Sequence, residues 1–154
     1  MSSKLLGVGL HWEEMPAGQK FHTVGRTITE ADLTAFVGVT GMTEVLFTNT
    51  EYLDNETEFG GRRLLPGALV FSITEGLLIQ SMLQRTGVAF MGMDFTVNRP
   101  SFAGDTIHVE CEVLISRATK NPARGLVTTE NRIVNQEGKT VLTYTPSRLV
   151  KSRP

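Results

Sequence analysis

Within the run GMTEVLF, Gly41 to Phe47, Glu44 is the one ionisable side chain, and Met42, Val45, Leu46 and Phe47 around it are apolar. A carboxyl buried among such groups has its pKa raised, which turns it into an acid or base useful near neutral pH. A surface glutamate on a long loop is the plainer alternative. Met42 and Phe47 have no proton to give or take, so they line an apolar pocket or pack beneath the loop. Gly67 offers only its backbone. Directly after Pro66 it opens a helical pattern, and an N–H at a helix start is a donor for a carbonyl on which negative charge develops. An ordinary helix start is the alternative there. Ser72 lies roughly one and a half turns further on and borders any pocket at Gly67, whereas Glu75 is expected to face solvent or a partner subunit. Arg62, Arg63, Lys120 and Arg124 suit phosphate groups but lack the spacing of a phosphate loop, and solvated surface charge explains them as well. His11, His22 and His108 lie far apart without metal-ligand or triad companions, and Cys111 is single, so neither a metal site nor a disulfide is expected. His108 falls on the polar face of its strand, a surface or interface position.

The elements that must carry these groups are legible from periodicity. Residues 19–28 predict a first strand after the turn-forming Pro16 and Gly18. Thr29, followed by Glu30 and Asp32, predicts the cap of a short helix that Gly41 ends. Residues 40–61 predict an irregular surface excursion. Pro66 then starts the longest helical signal, with Leu69, Val70, Ile73, Leu77, Leu78 and Met82 covering most of its girth, so this helix is expected to be the buried axis of the domain. Gly76 in its middle predicts a close backbone approach. Four β-rich runs follow, 88–98, 106–118, 125–135 and 140–150, joined by turns at Gly104-Asp105 and Gln136-Glu137-Gly138. In the second, Ile107, Val109, Cys111, Val113 and Ile115 alternate with His108, Glu110, Glu112 and Leu114, giving one apolar and one largely polar face. An antiparallel sheet with one apolar face, wrapped on a single buried helix, satisfies every segment.

The chain has 154 residues, 40% of them hydrophobic and 20% charged, with a formal net charge of -1. These values fit one α+β domain, residues 1–154 with a core over about 15–150, and carry no basic footprint for nucleic acid. Trp12, Glu13 and Glu14 interrupt the short apolar run at the N-terminus, so neither a signal peptide nor a membrane span is expected and the chain reads as cytoplasmic.

Several words in this order resemble the MaoC-like acyl dehydratases, the single-hot-dog relatives of (R)-specific enoyl-CoA hydratases. They are Phe36-Val37-Gly38-Val39-Thr40-Gly41, Asn49-Thr50-Glu51-Tyr52, Phe59-Gly60-Gly61-Arg62, Pro66-Gly67-Ala68-Leu69, Arg99-Pro100-Ser101-Phe102-Ala103-Gly104-Asp105-Thr106-Ile107 and Asn131 to Gly138. The resemblance covers roughly residues 15–150 and implies a hot-dog fold. In that family the motif S-G-D-x-N-P-x-H supplies an Asp and a His that activate water for addition to a 2-enoyl thioester. Residue on residue, Met42 stands at the Asp, Glu44 at the Asn and Phe47 at the His, and the helix-opening His-Gly is Pro66-Gly67.

The resemblance therefore implies an acyl thioester ligand, CoA- or carrier-linked, with no separate cofactor and no metal. It implies that the Gly67 amide polarises the thioester carbonyl, and it leaves Glu44 as the candidate acid or base. Candidate binding positions are Met42, Phe47, Asn49, Pro66 and Ser72 for the acyl part, and Arg62 and Arg124 for carrier phosphates. A homodimer or larger hot-dog assembly is implied too. Three activities remain open: a hydratase or dehydratase with a non-standard site, a thioesterase using Glu44, and a non-catalytic acyl-binding subunit whose partner carries the acid–base pair.

Overall fold

The structure, a computed structural model, describes residues 3–154. Where one strand is expected over 19–28 there are two short pieces, β1 (Lys20–His22) and β2 (Arg26–Thr27). Thr23 explains the break: its N–H donates to the Val109 carbonyl, while its hydroxyl accepts the Val109 N–H at 3.0 Å in place of a ladder carbonyl. Helix α1 (Glu30–Thr40) starts at the expected cap. Thr29 and Asp32 form a reciprocal capping box, and Gly41 closes the helix in the left-handed region at φ 71°. The backbone N–H of Thr29 holds the Asp32 carboxyl below its usual pKa.

The excursion after Gly41 is more ordered than its composition suggests. It holds a single turn, α2 (Val45–Thr48), and a short helix, α3 (Thr50–Glu56), each begun by a side-chain cap, Glu44 and Asn49. Capping and the burial of Leu53 outweigh the weak helix propensity of Thr, Asn and Asp here. Helix α4 (Gly67–Leu78) follows and continues into a π-type turn over Ile79–Leu83. The widened turn admits an extra residue and shifts the helical phase, so the adjacent Met82 and Leu83 are both buried. Nothing lies within 4 Å of a Cβ at Gly76, so no close approach requires glycine there.

The four C-terminal strands are β3 (Gly87–Val97), β4 (Thr106–Ala118), β5 (Arg124–Asn135) and β6 (Thr140–Lys151). All pairings are antiparallel, in the order β1-β4-β5-β6-β3 with β2 also on β4. The sheet lays Ile107, Val109, Val113, Ile133, Leu142 and Tyr144 onto the α4 residues Leu69, Val70, Ile73 and Leu78 in one core. This is the expected α+β hot-dog arrangement of a sheet around a central helix. Ile115 departs from expectation. A bulge between Val113 and Ile115 breaks the alternation, leaving Leu114 and Ile115 both about half exposed at 45% and 46%. Among the described residues no helix is long and apolar enough to cross a membrane.

The segment before β1 straps the end of the central helix: Gly9 N–H donates to the Gln84 carbonyl and Leu10 N–H to the Met82 carbonyl, both at 2.8 Å. A Cβ at Gly9 would collide with the Met82 carbonyl, which is backbone and has no rotamer to yield. Gly9→Ala is therefore expected to lower stability by about 1–3 kcal/mol in urea unfolding, with an unchanged midpoint contradicting the packing described.

Candidate functional site

At the start of α4 the buried Pro66 takes φ -57° and ψ 136° and leaves its carbonyl to accept from the N–H groups of Leu69 (3.0 Å) and Val70 (3.3 Å). The Gly67 and Ala68 N–H groups lie ahead of the first intrahelical acceptor, so they are donors at the positive end of the helix dipole. A side chain at 67 would crowd β3. A Cβ there would stand 3.0 Å from Cγ2 of Val97, where β3 passes closest. The result is a narrow cleft of about 30 Å³ lined by Leu65, Gly67, Val70, Val97, Arg99, Pro100, Ser101, Val141 and Leu142. Two amides at a helix start, that of Gly67 on the wall of this largely apolar cleft, suit a carbonyl oxygen that gains negative charge. Arg99 and Val97 were not singled out from sequence as site residues. The signal available was the word that Arg99 opens, with Val97 two residues before it.

The GMTEVLF segment is built separately. Glu44 is exposed and its Oε2 accepts the Leu46 N–H at 2.7 Å, so the carboxylate caps α2. Met42 is half-buried, and Phe47 packs against the core from the side. The segment is tied down by Arg63, whose Nη2 donates to the Phe47 carbonyl at 3.2 Å while Nε stands 3.2 Å from Glu30 Oε1 without a hydrogen-bonding angle. Arg63 is thereby committed to holding α2 against α1 rather than free for a phosphate. Within one chain none of Met42, Glu44 or Phe47 lines the Gly67 cleft.

The other expected positions scatter. Asn49 caps α3 through Oδ1, which accepts the Tyr52 N–H at 3.1 Å. Ser72 is exposed and returns its hydroxyl to the Ala68 carbonyl at 2.7 Å. Arg62 stacks on the Phe102 ring, 3.7 Å from its centroid, in a shallow cleft shared with Arg99, Asp105, Glu137 and Lys139. Arg124 opens β5, whereas Leu142 of the Gly67 cleft pairs with Ile133 further along that strand, about 30 Å away at the rise of an extended chain. One chain therefore does not bring Arg124 to Gly67. His108 stands on the polar side of β4 with Nε2 3.7 Å from Glu110, and among the described residues no three His, Cys, Asp or Glu side chains gather as a metal site would need.

Glu75 departs most from expectation. It does not stand free: its Oε1 accepts from Tyr144 Oη at 2.5 Å and from Arg148 Nη2 at 2.6 Å. The Glu75 and Arg148 side chains are only 14% and 11% exposed. Burial, reinforced by the Glu75 carboxylate, pushes the Tyr144 phenol far above its usual pKa, so it stays a hydrogen-bond donor. Arg148 also lies over Phe90, 4.7 Å from the ring centroid. A groove between the end of α4 and the start of β3 opens beside this cluster. Behind it Asn131 is fully buried with Oδ1 and Nδ2 unpaired. Sequence periodicity carried no sign of the cluster, because its members come from two elements 69 residues apart.

With the fold and the cleft in place, the comparisons with known proteins decide the family. The MaoC like domain matches residues 13–135. The chain belongs to the MaoC-like dehydratase family. Among solved structures it is similar to a monoamine oxidase regulatory protein from Archaeoglobus fulgidus, with 31% identity over 95% of this chain and 97% of that one and a TM-score of 0.81. It is similar also to a MaoC-like dehydratase from Rhodospirillum rubrum, with 29% identity, 95% and 99% coverage and a TM-score of 0.82. An R-hydratase from Pseudomonas aeruginosa shares 25% identity over 94% of this chain and 88% of its own, with a TM-score of 0.80. No curated protein sequence matches this chain. The residues that the sequence resemblance sets against the family's motif, Met42, Glu44 and Phe47, fall at and before α2, and Gly67 opens α4.

The buried cluster yields a direct test. Glu75→Ala leaves Arg148 without its counter-ion at 11% exposure and is expected to cost about 3 kcal/mol in urea unfolding. The paired replacement Glu75→Leu with Arg148→Met is expected to cost less than that single change, and a larger, additive loss would contradict an interacting pair.

Proposed function

We propose that this chain binds an acyl thioester, linked to CoA or a similar carrier, and acts on it in the manner of the hydratases and dehydratases of its family. The observation that carries the reading is the pair of amides at the start of α4, Gly67 and Ala68, with Gly67 on the wall of a narrow, largely apolar cleft. Hydrogen bonds from these amides to the thioester carbonyl favour charge on its oxygen, which is where addition of water to a 2-enoyl thioester, and its reversal, place it. Proton transfer then falls to Glu44, the one ionisable side chain in the segment where the family carries its Asp and His.

A second reading is favoured by one observation. Glu44 is exposed and engaged as the cap of α2, outside the cleft of its own chain. In that reading the chain is an acyl-binding subunit, and a partner chain brings the acid–base pair. Either way an assembly is part of the proposal, and its contact surface is β3. This strand is the edge of the sheet and exposes Val88, Phe90, Met91, Met93, Phe95 and Val97, each 39% exposed or more. An apolar edge of that length favours a second copy adding its own strand, as a homodimer. A cytoplasmic setting fits the single buried Cys111, whose thiol burial pushes up to about 11.

Incubation of the pure protein with a 2-enoyl-CoA, followed by loss of the conjugated-thioester absorbance and by thiol release, separates the readings. Hydration without thiol release is expected, with Glu44→Gln slowing it by roughly 10²-fold while binding is retained. Saturable binding with no turnover places the acid–base pair on a partner. Thiol release identifies hydrolysis instead, and absence of binding contradicts the proposal.

A further inference from the structure

The cluster of Glu75, Tyr144 and Arg148 is satisfied on its helix side but not on its sheet side. Asn131 of β5 stands directly opposite Tyr144 of β6. It is fully buried, and neither its Oδ1 nor its Nδ2 has a hydrogen-bond partner in the protein. A carboxamide brings two donors and an acceptor, and burying all of them unpaired is costly. Beside Asn131 lies a cavity of about 10 Å³, walled by the apolar Met15, Leu78 and Met82 and by the polar Thr129, Asn131 and Arg148. Arg148 and Leu83 line this cavity and also the open groove between the end of α4 and the start of β3. The guanidinium therefore stands between solvent and the cavity. Burial pushes the Tyr144 phenol up, and the Asn131 amide works weakly against that rise. This turns the amide nitrogen toward the phenol oxygen, though short of hydrogen-bonding geometry, and leaves Oδ1 for the cavity.

We propose that this cavity is a site for one ordered water molecule, which donates to Asn131 Oδ1 and accepts from the Arg148 guanidinium, with the Thr129 hydroxyl as its further partner. Size and chemistry select water. A cavity of this volume holds about one water-sized sphere, and polar groups on two or more sides are what separate a wet cavity from a dry one. The positive charge of Arg148 disfavours a cation there, and no organic anion fits the space. Arg148 has donors to spare, because its pairing with Glu75 uses Nη2 and a guanidinium carries five N–H groups. The water thus extends the polar cluster from α4 through Arg148 on β6 to Asn131 on β5, with every member partnered. It ties the central helix to two strands rather than one. This site owes nothing to the thioester reading, and the loss of either leaves the other in place.

A crystal structure of the intact protein, at a resolution that shows ordered solvent, tests the site without any variant. A solvent peak is expected about 2.7–3.2 Å from Asn131 Oδ1 and from a nitrogen of Arg148. Side chains closed over the position, or Asn131 Oδ1 bonded directly to a protein donor, would overturn the assignment. Magnetic relaxation dispersion of water counts long-lived buried molecules in solution and supplies a second readout. Asn131→Leu, which removes the amide and fills the space, is expected to lower that count by one. An unchanged count in the folded variant overturns the site as well.

Discussion

Burial of α4 beneath one antiparallel sheet is the constraint from which the rest of this molecule follows. A helix covered on most sides has to be apolar around most of its girth, and Leu69, Val70, Ile73 and Leu78 supply that. Any polar group it carries then needs a partner, since an unpaired donor or charge in such a place costs several kcal/mol. Thr74 satisfies its hydroxyl on the Val70 carbonyl of its own helix. Glu75 is met by Tyr144 and Arg148. The amides at the start are the exception. Gly67 and Ala68 precede any intrahelical acceptor, and they sit where a ligand oxygen can take the place of one.

The same constraint divides the surroundings into a rigid part and an added part. Strands β4, β5 and β6 and the helix share the core, while α1, α2 and α3 are tied on by discrete contacts: the Thr29–Asp32 box, the Arg63 clamp between Glu30 and Phe47, and buried Leu33, Val37 and Leu53. The segment Gly41 to Phe47, onto which the sequence resemblance lays the family's proton-transfer motif, lies in this added part. Its Phe47 packs against the core. The Gly67 and Ala68 amides belong to the rigid part, as the start of α4 cannot be lost without losing the helix.

How much of this was legible in the sequence depends on whether a feature is local. The four long strands and the central helix emerged within a few residues of their positions, because two-residue and 3.6-residue periodicities are written in neighbouring side chains. The cap at Thr29 and the terminator at Gly41 were equally local. The bulge after Val113 was not, and it turned Ile115 outward against the alternation. Turns α2 and α3 escaped because caps at Glu44 and Asn49, rather than propensity, form them. Glu75 was misplaced for a third reason. Its partners Tyr144 and Arg148 lie on β6, and only the β5–β6 pairing brings them over α4, so no inspection of the helix alone could find them. Likewise Arg124 joined the site on charge alone, and strand register set it apart.

In the proposed function a thioester carbonyl takes the place of the missing helical acceptor at Gly67 and Ala68. A crystal structure with an unreactive acyl-thioester analogue addresses this directly. The carbonyl oxygen is predicted to lie about 2.7–3.2 Å from the amide nitrogen of Gly67 or Ala68, with its acyl group against Val97. An analogue bound with its carbonyl away from both amides would contradict the account.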